Sequence, residues 1–409
     1  MKVIIAGAGA AGLMAAYDLT RKGFSVSMLE ASPRIGGRIQ TLTPEGFLHP
    51  VEAGAEFIHG DLALTKHLLA KAGQNTFPAE GRFVEFAGGR FTEYGKSKLW
   101  ERFYKALAAQ RRDSTVADFL SKNFPGETEM RQKVFDLAQG LDLADPERLS
   151  LMSVKQEWLG DQSQARPAAG YGKIVEYLAD ACGRRSFELH LNARVTKVDW
   201  KQNKVRVSTD AESFDCDAAL LAIPHWKYLQ GKISFIPEVS QLRHFEKVGF
   251  GSVIKGALEF EHPFWEHAQP GLGFLFMDDG FTFWTQLPGN SPVLTLWIGN
   301  AYAARWQEVA DATIIEAALE KLQRAFPDKK TLRAAQIFRY TPKTETGGAY
   351  SWLMPGGKES IRMLNRGVGA RVFFAGEALD PGFSVGTVEA ALKSGRYAAR
   401  KIATALRNN

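Results

Sequence analysis

The chain has 409 residues, of which 45% are hydrophobic and 23% charged, a composition typical of a globular protein long enough for two domains. Its net charge of +6 arises from 51 basic and 45 acidic residues spread along the chain, and no basic stripe interleaved with aromatic residues favours nucleic-acid binding. Two cysteines exclude a disulfide framework and a four-ligand metal site, and no apolar run reaches the ~18 residues of a membrane span, so we expect a cytoplasmic protein without bound metal.

The first 30 residues predict a strand, a glycine turn, a helix and a second strand. Residues 2–6, KVIIA, form a short strand that is apolar after its lysine, the motif GAGAAG follows at residues 7–12, and the second strand ends at Glu30. A lysine followed by apolar and small residues also imitates a signal peptide, but the strand and turn account for these residues better, so we assign them to the mature protein. A strand, G-x-G-x-x-G, a helix, a second strand and an acid form the fingerprint of a dinucleotide-binding unit.

Each residue of this fingerprint has a physical task. Gly7 permits the tight turn, Gly9 lets a pyrophosphate approach the backbone, and Gly12 lets the helix pack closely on the strand. The helix N-terminus, which includes Ala11, offers unpaired N–H groups to phosphate oxygens. Glu30 is expected to accept hydrogen bonds from ribose hydroxyls. These residues alone leave both NAD and FAD open.

The next motif distinguishes the two cofactors in part. ASPRIGGRIQT contains an R-x-G-G-R pattern from Arg34 to Arg38, which resembles flavoproteins of the glutathione-reductase-like class. Its glycines allow close approach, and Arg38 is expected to neutralise phosphate charge. Two surface arginines in a loop would suit an NAD enzyme equally, so the preference for FAD depends on the C-terminal end.

The stretch GFGSVIKGALEF predicts a strand at residues 249–260 with one misfit, Lys255. Because strand side chains alternate, Lys255 can point to water while Ile254 and Leu258 point inward. Buried among its apolar neighbours, its ammonium group would cost several kcal/mol to desolvate without a compensating partner. The local pattern does not decide between the two arrangements.

The C-terminal segment predicts a strand, a glycine break and a long helix. The strand covers residues 372–375 and breaks at Gly376, and the helix begins near Gly386 or Thr387, with Thr387 as a reasonable N-cap. A helix start in this position is expected to face the N1/O2 edge of a flavin, where negative charge accumulates on reduction. An ordinary C-terminal helix on a sheet is the alternative.

Five motifs in order resemble the flavin-containing amine oxidase family, which includes monoamine oxidases, polyamine and spermine oxidases and lysine-specific histone demethylases. They are GAGAAG…E…RIGGR, VEAGAEFIHG, GSVIK, GGAYSW and FAGEALDPGFSVGTVEAALKSGRYAA, and they run from Lys2 to Ala399. The resemblance implies an α/β (α+β overall) fold with a glutathione-reductase-like FAD-binding domain and an interleaved substrate domain of mixed sheet plus helices. The implied FAD domain comprises residues 1–80, 190–235 and 345–409, and the substrate domain comprises residues 81–189 and 236–344.

The same resemblance assigns roles to individual residues. Lys255 is expected to hold a water against flavin N5, Tyr350 to stand beside the reacting face, and His59 to line the cavity mouth together with Glu56. For Tyr350 and His59, a core tyrosine and a loop histidine bonded to its own backbone are the alternatives. The remaining residues expected to contact the cofactor are Gly54, Ala55, Glu56, Phe57, Val195, Trp352, Gly376, Glu377, Gly386, Thr387 and Val388.

Two positions set this chain apart from monoamine oxidases. Ala349 stands where those enzymes carry the flavin-linked cysteine, so FAD is expected to be non-covalent. Thr387 stands where the second wall of their aromatic cage would fall, so half of the cage is missing.

The implied activity is oxidation of an amine to an imine, and then to an aldehyde, by hydride transfer to flavin N5, with O2 reduced to hydrogen peroxide. The expected partners are a small amine and O2, without nucleic acid or membrane, in a monomer or homodimer. Three alternatives remain: an L-amino-acid oxidase, which needs an arginine for the carboxylate; a phytoene-desaturase type, which has no need of Lys255; and a catalytically silent flavin-binding protein.

Overall fold

A computed structural model describes residues 1–95, 98–201, 204–328 and 330–408. The helices in this part of the chain are α1 (Ala10–Arg21), α2 (Ala63–Lys71), α3 (Lys98–Ala109), α4 (Val116–Asn123), α5 (Thr128–Gly140), α6 (Leu151–Trp158), α7 (Gly172–Gly183), α8 (Trp226–Leu229), α9 (Trp265–Ala268), α10 (Asn300–Trp306), α11 (Asp311–Ala325), α12 (Gly357–Leu364) and α13 (Val388–Arg407). The strands are β1 (Lys2–Ala6), β2 (Ser25–Leu29), β3 (Thr41–Leu42), β4 (Val51–Glu52), β5 (Ile58–His59), β6 (Thr76–Pro78), β7 (Arg82–Ala87), β8 (Arg90–Glu93), β9 (Gln164–Pro167), β10 (Phe187–His190), β11 (Val195–Asp199), β12 (Val205–Thr209), β13 (Ser213–Cys216), β14 (Ala218–Leu221), β15 (Ser234–Ile236), β16 (Val248–Phe250), β17 (Val253–Phe260), β18 (Leu272–Met277), β19 (Phe281–Trp284), β20 (Val293–Gly299), β21 (Leu332–Tyr340), β22 (Ser351–Leu353) and β23 (Val372–Phe374).

A parallel sheet carries the predicted dinucleotide motif. Its strand order is β10-β2-β1-β14-β23, and every neighbouring pair runs parallel. The apolar side chains of β1 are buried, as expected for a strand covered on both faces. Helices α1, α7 and α13 contribute to one hydrophobic core with this sheet. The predicted strand, turn, helix and second strand at the N-terminus are confirmed, as is the strand followed by the long C-terminal helix.

A second sheet holds the misfit lysine. Its order is β21-β17-β20-β19-β18-β7-β8, and β17 lies between two antiparallel neighbours. All eight residues of β17 are buried, so Lys255 does not alternate into solvent. Helices α3 to α6 form a separate hydrophobic cluster in which Trp100, Phe103 and Leu107 are buried. This sheet and these helices match the mixed sheet and helices expected for the substrate side.

Several contacts cross the expected domain boundaries. Helix α7 packs on α1, and β10 pairs with β2, although residues up to 189 were expected on the substrate side. Strand β16 pairs with β22, and Phe245 and Val248 share a core with β14 and β23, although both were expected on the substrate side. These contacts join residues distant in sequence, which a reading of local pattern does not detect.

Strand β11 pairs antiparallel with β12. Gln202 and Asn203, which lie between these strands in the sequence, are outside the described residues. Among the helices of the described residues, none has the length and apolar character needed to cross a membrane.

Candidate active site

One cavity of about 1090 Å³ joins the two predicted halves of the site. Glu30 and Val195 line it on the dinucleotide side, and Lys255, Tyr350 and His59 line it on the side of the large sheet. Of the residues expected to contact the cofactor, Gly12 does not line this cavity and has a packing role instead. The other expected residues, from Gly7 to Val388, line it.

The glycine turn is built for close approach. Gly7 has a positive φ of 101°, which favours glycine, and a Cβ on Gly12 would lie 2.0 Å from the carbonyl oxygen of Gly7. A Cβ on Gly9 would meet nothing within 4 Å, so open space lies before the first turn of α1. Helix α1 has no side-chain N-cap, so its first N–H groups are available to an anion in that space.

Glu30 is held firmly at the end of β2. Its carboxylate accepts hydrogen bonds from the backbone N–H of Ala8 at 2.7 Å and of Ser32 at 2.9 Å. Because a carboxylate has about four acceptor positions, Glu30 can still accept further bonds from the cavity that it lines.

The two arginines of the R-x-G-G-R motif have different tasks. Arg34 donates to the backbone carbonyls of Ile35, Gly37 and Ile39, so it shapes its own loop. Arg38 donates to the Ala349 carbonyl at 2.7 Å and to Glu377 at 2.8 Å. The charge expected to meet phosphate is therefore already paired with a carboxylate in part.

Glu377 connects the C-terminal elements of the site. Its buried carboxylate accepts from Arg38, from the Ser351 hydroxyl at 2.8 Å and from the Gly386 N–H at 3.0 Å. These donors place the start of α13 beside β22. Thr387 caps α13 through a 3.0 Å bond from the Ala390 N–H to its hydroxyl oxygen, which confirms the predicted N-cap.

Lys255 is buried, with 2% of its surface exposed, and its charge is compensated. Its ammonium donates to the Gly54 carbonyl at 2.9 Å and to the Glu56 carboxylate at 2.7 Å. It also lies 5.7 Å from the centroid of the Trp284 ring. The partners come from the segment between β4 and β5, which therefore lies against β17.

Glu56, expected at the cavity mouth, lines the cavity and is almost entirely buried. Glu56 is 6% exposed, and besides Lys255 it accepts from Trp284 at 2.9 Å and Gln286 at 3.2 Å and pairs with Arg166 at 3.2 Å. Burial alone would raise the pKa of Glu56, but the charges of Lys255 and Arg166 outweigh it and lower that pKa. Glu56 is thus an ionised interior carboxylate, because two cations from distant segments meet there.

His59 is exposed and lines the cavity. Its ring lies 5.9 Å from the Phe57 ring. The surrounding protein desolvates the imidazole and lowers the pKa of His59 to about 4. The side chain is therefore neutral at physiological pH and offers a nitrogen lone pair.

An aromatic wall accompanies Lys255 and Tyr350. The Tyr350 ring stacks on Trp297 with centroids 6.3 Å apart, and Trp297 is the cross-strand partner of Lys255. Trp284 continues the wall, 5.5 Å from Trp297 and 5.4 Å from Phe57. The Tyr350 hydroxyl donates to the carbonyl of Leu141, and burial raises the pKa of Tyr350 well above its usual range, so the hydroxyl keeps its proton.

Two acids that sequence reasoning missed line the same cavity, Asp142 and Glu157. Asp142 follows Leu141 and accepts from Trp158 at 3.0 Å, and Glu157 is the residue before Trp158. Burial raises the pKa of both acids, and the negative charge of Glu157 raises that of Asp142 further. Arg166, Trp284 and Trp297 were missed as well, since in the sequence they read as ordinary strand residues.

Comparison with known proteins identifies the family. A family described as flavin containing amine oxidoreductase matches residues 10–403. Polyamine oxidase 2 of Arabidopsis thaliana is 27% identical over 97% of this chain and 87% of that protein. Lysine-specific histone demethylase 2 of Homo sapiens is 26% identical over 98% of this chain and 53% of that protein.

Solved structures share the fold. Cyclohexylamine oxidase from Brevibacterium oxydans IH-35A superposes with a TM-score of 0.84 at 22% identity, and the match covers 99% of each chain. Wild-type putrescine oxidase bound to putrescine gives a TM-score of 0.83 at 22% identity, again over 99% of each chain. The chain therefore belongs to the flavin-containing amine oxidoreductase family and is a flavin oxidoreductase that acts on amines.

Proposed function

We propose that the protein is an FAD-dependent amine oxidase that converts a small amine to an imine, which water hydrolyses to an aldehyde. The observation that carries the proposal is a buried lysine, Lys255, lining the same cavity as the dinucleotide turn. When bound, the flavin would supply the redox chemistry, accepting a hydride equivalent at N5 from the C–H next to nitrogen and passing two electrons to O2 to give hydrogen peroxide.

The residues present fit FAD. The open space at Gly9 and the free N–H groups of α1 suit a pyrophosphate, and Glu30 and Val195 lie where an adenosine would follow. The start of α13 at Val388 brings a positive helix end to the other side of the cavity. We propose that the cofactor is bound without a covalent link, since Ala349 offers no sulfur. Of the described lining residues, none is a cysteine.

The chain's own groups would confine and orient the amine. The rings of Tyr350 and Trp297 form a wall that tolerates both the apolar chain and a cationic nitrogen. His59, neutral in this setting, offers an acceptor for an N–H of the amine. Lys255 supplies the positive charge that favours electron arrival at the flavin's central edge and at O2.

The acids of the cavity favour an amine over an amino acid. A carboxylate substrate needs an unpaired arginine, but the cavity-lining arginines of the described residues all have partners. Arg34 donates to backbone carbonyls, Arg38 to Glu377 and Arg194 to Glu345. On the Tyr350 side the cavity presents Asp142 and Glu157 instead, and an ammonium group bound there would lower their raised pKa values and pair with them as carboxylates. We therefore propose an amine that carries a second cationic group, such as a diamine or polyamine.

Peroxide release on a panel of mono-, di- and polyamines and L-amino acids tests this function. Activity on amines that carry a second cationic group, above that on amino acids, is the expected result. Normal flavin content without activity on any amine would instead support a desaturase or a silent flavoprotein.

The variant Lys255→Met tests the role of the buried cation. It should keep its flavin but reoxidise at least about tenfold more slowly, since a cation near the flavin and O2 is lost. Stopped-flow mixing of the reduced protein with O2 measures that rate, and an unchanged rate would remove Lys255 from the mechanism.

A further inference from the structure

Glu56, the carboxylate partner of Lys255, has more hydrogen-bond and ion-pair partners than are needed to neutralise one lysine. A buried lysine can be neutralised by one carboxylate, yet Glu56 receives four donors from three segments: Lys255, Arg166, Trp284 and Gln286. Two of these four donors are cations, so the cluster of Lys255, Arg166 and Glu56 keeps an excess of one positive charge. Burial would raise the pKa of Glu56, and the charges of Lys255 and Arg166 together lower it, which favours the ionised carboxylate.

The hydrogen bonds of Lys255 also fix its direction. An ammonium group has three N–H donors, and Gly54 and Glu56 accept two of them. Within the described part of the chain, no protein atom accepts a hydrogen bond from the third N–H of Lys255, and Lys255 lines the cavity. Because two of the three N–H groups of Lys255 bind Gly54 and Glu56, the third N–H can point into the cavity.

We infer that Glu56 is a positioning residue for the reaction: its carboxylate, together with the Gly54 carbonyl, holds the Lys255 ammonium charged and aimed at the cofactor edge of the cavity. The inference rests on the proposed function, because it assigns Lys255 a task at the flavin. Arg166 has a supporting task. It is anchored by bonds to the Thr285 and Leu287 carbonyls, and its charge adds to that of Lys255 in lowering the pKa of Glu56.

Glu52 also lies near this pair. Burial raises the pKa of Glu52, the positive charge of Lys255 opposes that rise and the negative charge of Glu56 adds to it, while its hydrogen bonds come from Tyr171 and Thr41. Glu52 therefore senses the pair but does not hold the ammonium. A purely structural role for Glu56, anchoring Trp284 and Gln286 on the sheet, is the competing explanation.

The substitution Glu56→Gln separates the two explanations. A glutamine oxygen can still accept from Trp284, but the charge opposite Lys255 is gone. If Glu56 acts through Lys255, reoxidation of the reduced holoprotein by O2 should slow about tenfold, the effect of losing roughly 1.4 kcal/mol of electrostatic stabilisation. On a Lys255→Met background the same substitution should change the rate by less than about twofold, since the group it positions is absent.

A second readout needs no turnover. Without its carboxylate, the buried Lys255 ammonium should lose its proton more readily, because desolvation disfavours the charged form. The melting temperature of Glu56→Gln should therefore approach that of the wild type as the pH rises, and Lys255→Met should abolish this dependence. Glu56→Asp keeps the charge and should reoxidise within about threefold of the wild type. Glu259→Gln removes another buried carboxylate of β17, which pairs with His49, and should leave reoxidation unchanged.

Two results would overturn the inference. One is a Glu56→Gln variant whose reoxidation rate, and whose melting temperature as a function of pH, equal those of the wild type. The other is an equal loss on both backgrounds, which would mean that Glu56 only supports the fold. The flavin is reduced with dithionite in these experiments, so they require no amine. The protein could oxidise no amine of the panel and still show the predicted difference between Glu56→Gln alone and Glu56→Gln combined with Lys255→Met. That outcome would contradict the proposed function and support this inference.

Discussion

The buried acid Glu52 should make the stability of the protein depend on pH, and its raised pKa gives the direction and the magnitude of that dependence. Glu52 is the last residue of β4. Its carboxylate accepts hydrogen bonds from the Tyr171 N–H at 2.7 Å and from the Thr41 hydroxyl at 2.9 Å, and it lies close to the buried pair of Lys255 and Glu56. Burial is the largest influence and raises the pKa of Glu52 from 4.5 to about 7. Folding therefore favours the protonated form of this acid.

The consequence is a loss of stability with rising pH. Because the folded pKa exceeds the unfolded one, the stabilising contribution is complete below about pH 4.5 and is lost as the pH rises through 7. The difference of about 2.5 pKa units, at about 1.4 kcal/mol each, corresponds to about 3 kcal/mol of unfolding free energy. Glutamine can accept both hydrogen bonds through one oxygen and does not ionise, so Glu52→Gln should remove this pH dependence.

Urea unfolding of the holoprotein between about pH 5 and pH 9 measures the effect. The advantage of Glu52→Gln over the wild type should grow by about 2.5 kcal/mol across that interval, most of it below about pH 7. Glu261→Gln, which replaces an exposed glutamate, serves as the control and should follow the wild type. If Glu52→Gln and the wild type lose stability in parallel, the carboxyl is not protonated in the fold and the reasoning about its burial is wrong.

Two further predictions concern the substrate and the cofactor. Glu157→Gln should lower kcat/KM for a diamine, relative to a monoamine of equal length, by about tenfold or more, since a charge-assisted contact is worth about 1.5–3 kcal/mol. Glu129→Gln, which replaces an exposed glutamate of α5, is the control, and an unchanged ratio would place the second ammonium elsewhere. Gly12→Ala should lose flavin, because its Cβ would lie 2.0 Å from the Gly7 carbonyl oxygen and so displace the glycine turn. Flavin absorbance per chain measures the loss. The control Gly183→Ala, where a Cβ meets nothing within 4 Å, should retain its flavin.

The dinucleotide half of the site was predictable because its determinants are local. Gly7, Gly12 and Glu30 act within one strand–helix–strand unit, so their spacing contains the geometry. Thr387 is similar, since an N-cap is decided by its own backbone and the residue three positions on. For such elements the sequence predicts both the structure and its reason.

The substrate half depends on contacts across the chain, and there the sequence was less informative. Lys255 stood out as a misfit, but its partner Glu56 lies 199 residues away and was expected at the cavity mouth. Asp142, Glu157 and Arg166 have nothing unusual in their local pattern. Their importance appears only when α5, α6 and β9 are folded around the same cavity.

The arrangement of charge explains how one cavity can hold both a dinucleotide and an amine. On the dinucleotide side, helix ends and Arg38 provide positive potential, and Glu377 limits it. Near the centre, Lys255 and Arg166 outnumber the ionised Glu56 by one charge, which favours electrons arriving there. On the Tyr350 side, Asp142 and Glu157 have raised pKa values and would ionise when an ammonium group binds beside them. Under the proposed function, the cationic tail of a diamine would therefore bind away from Lys255, while its reacting nitrogen approaches in the neutral form, so the substrate would be oriented before any chemistry occurs.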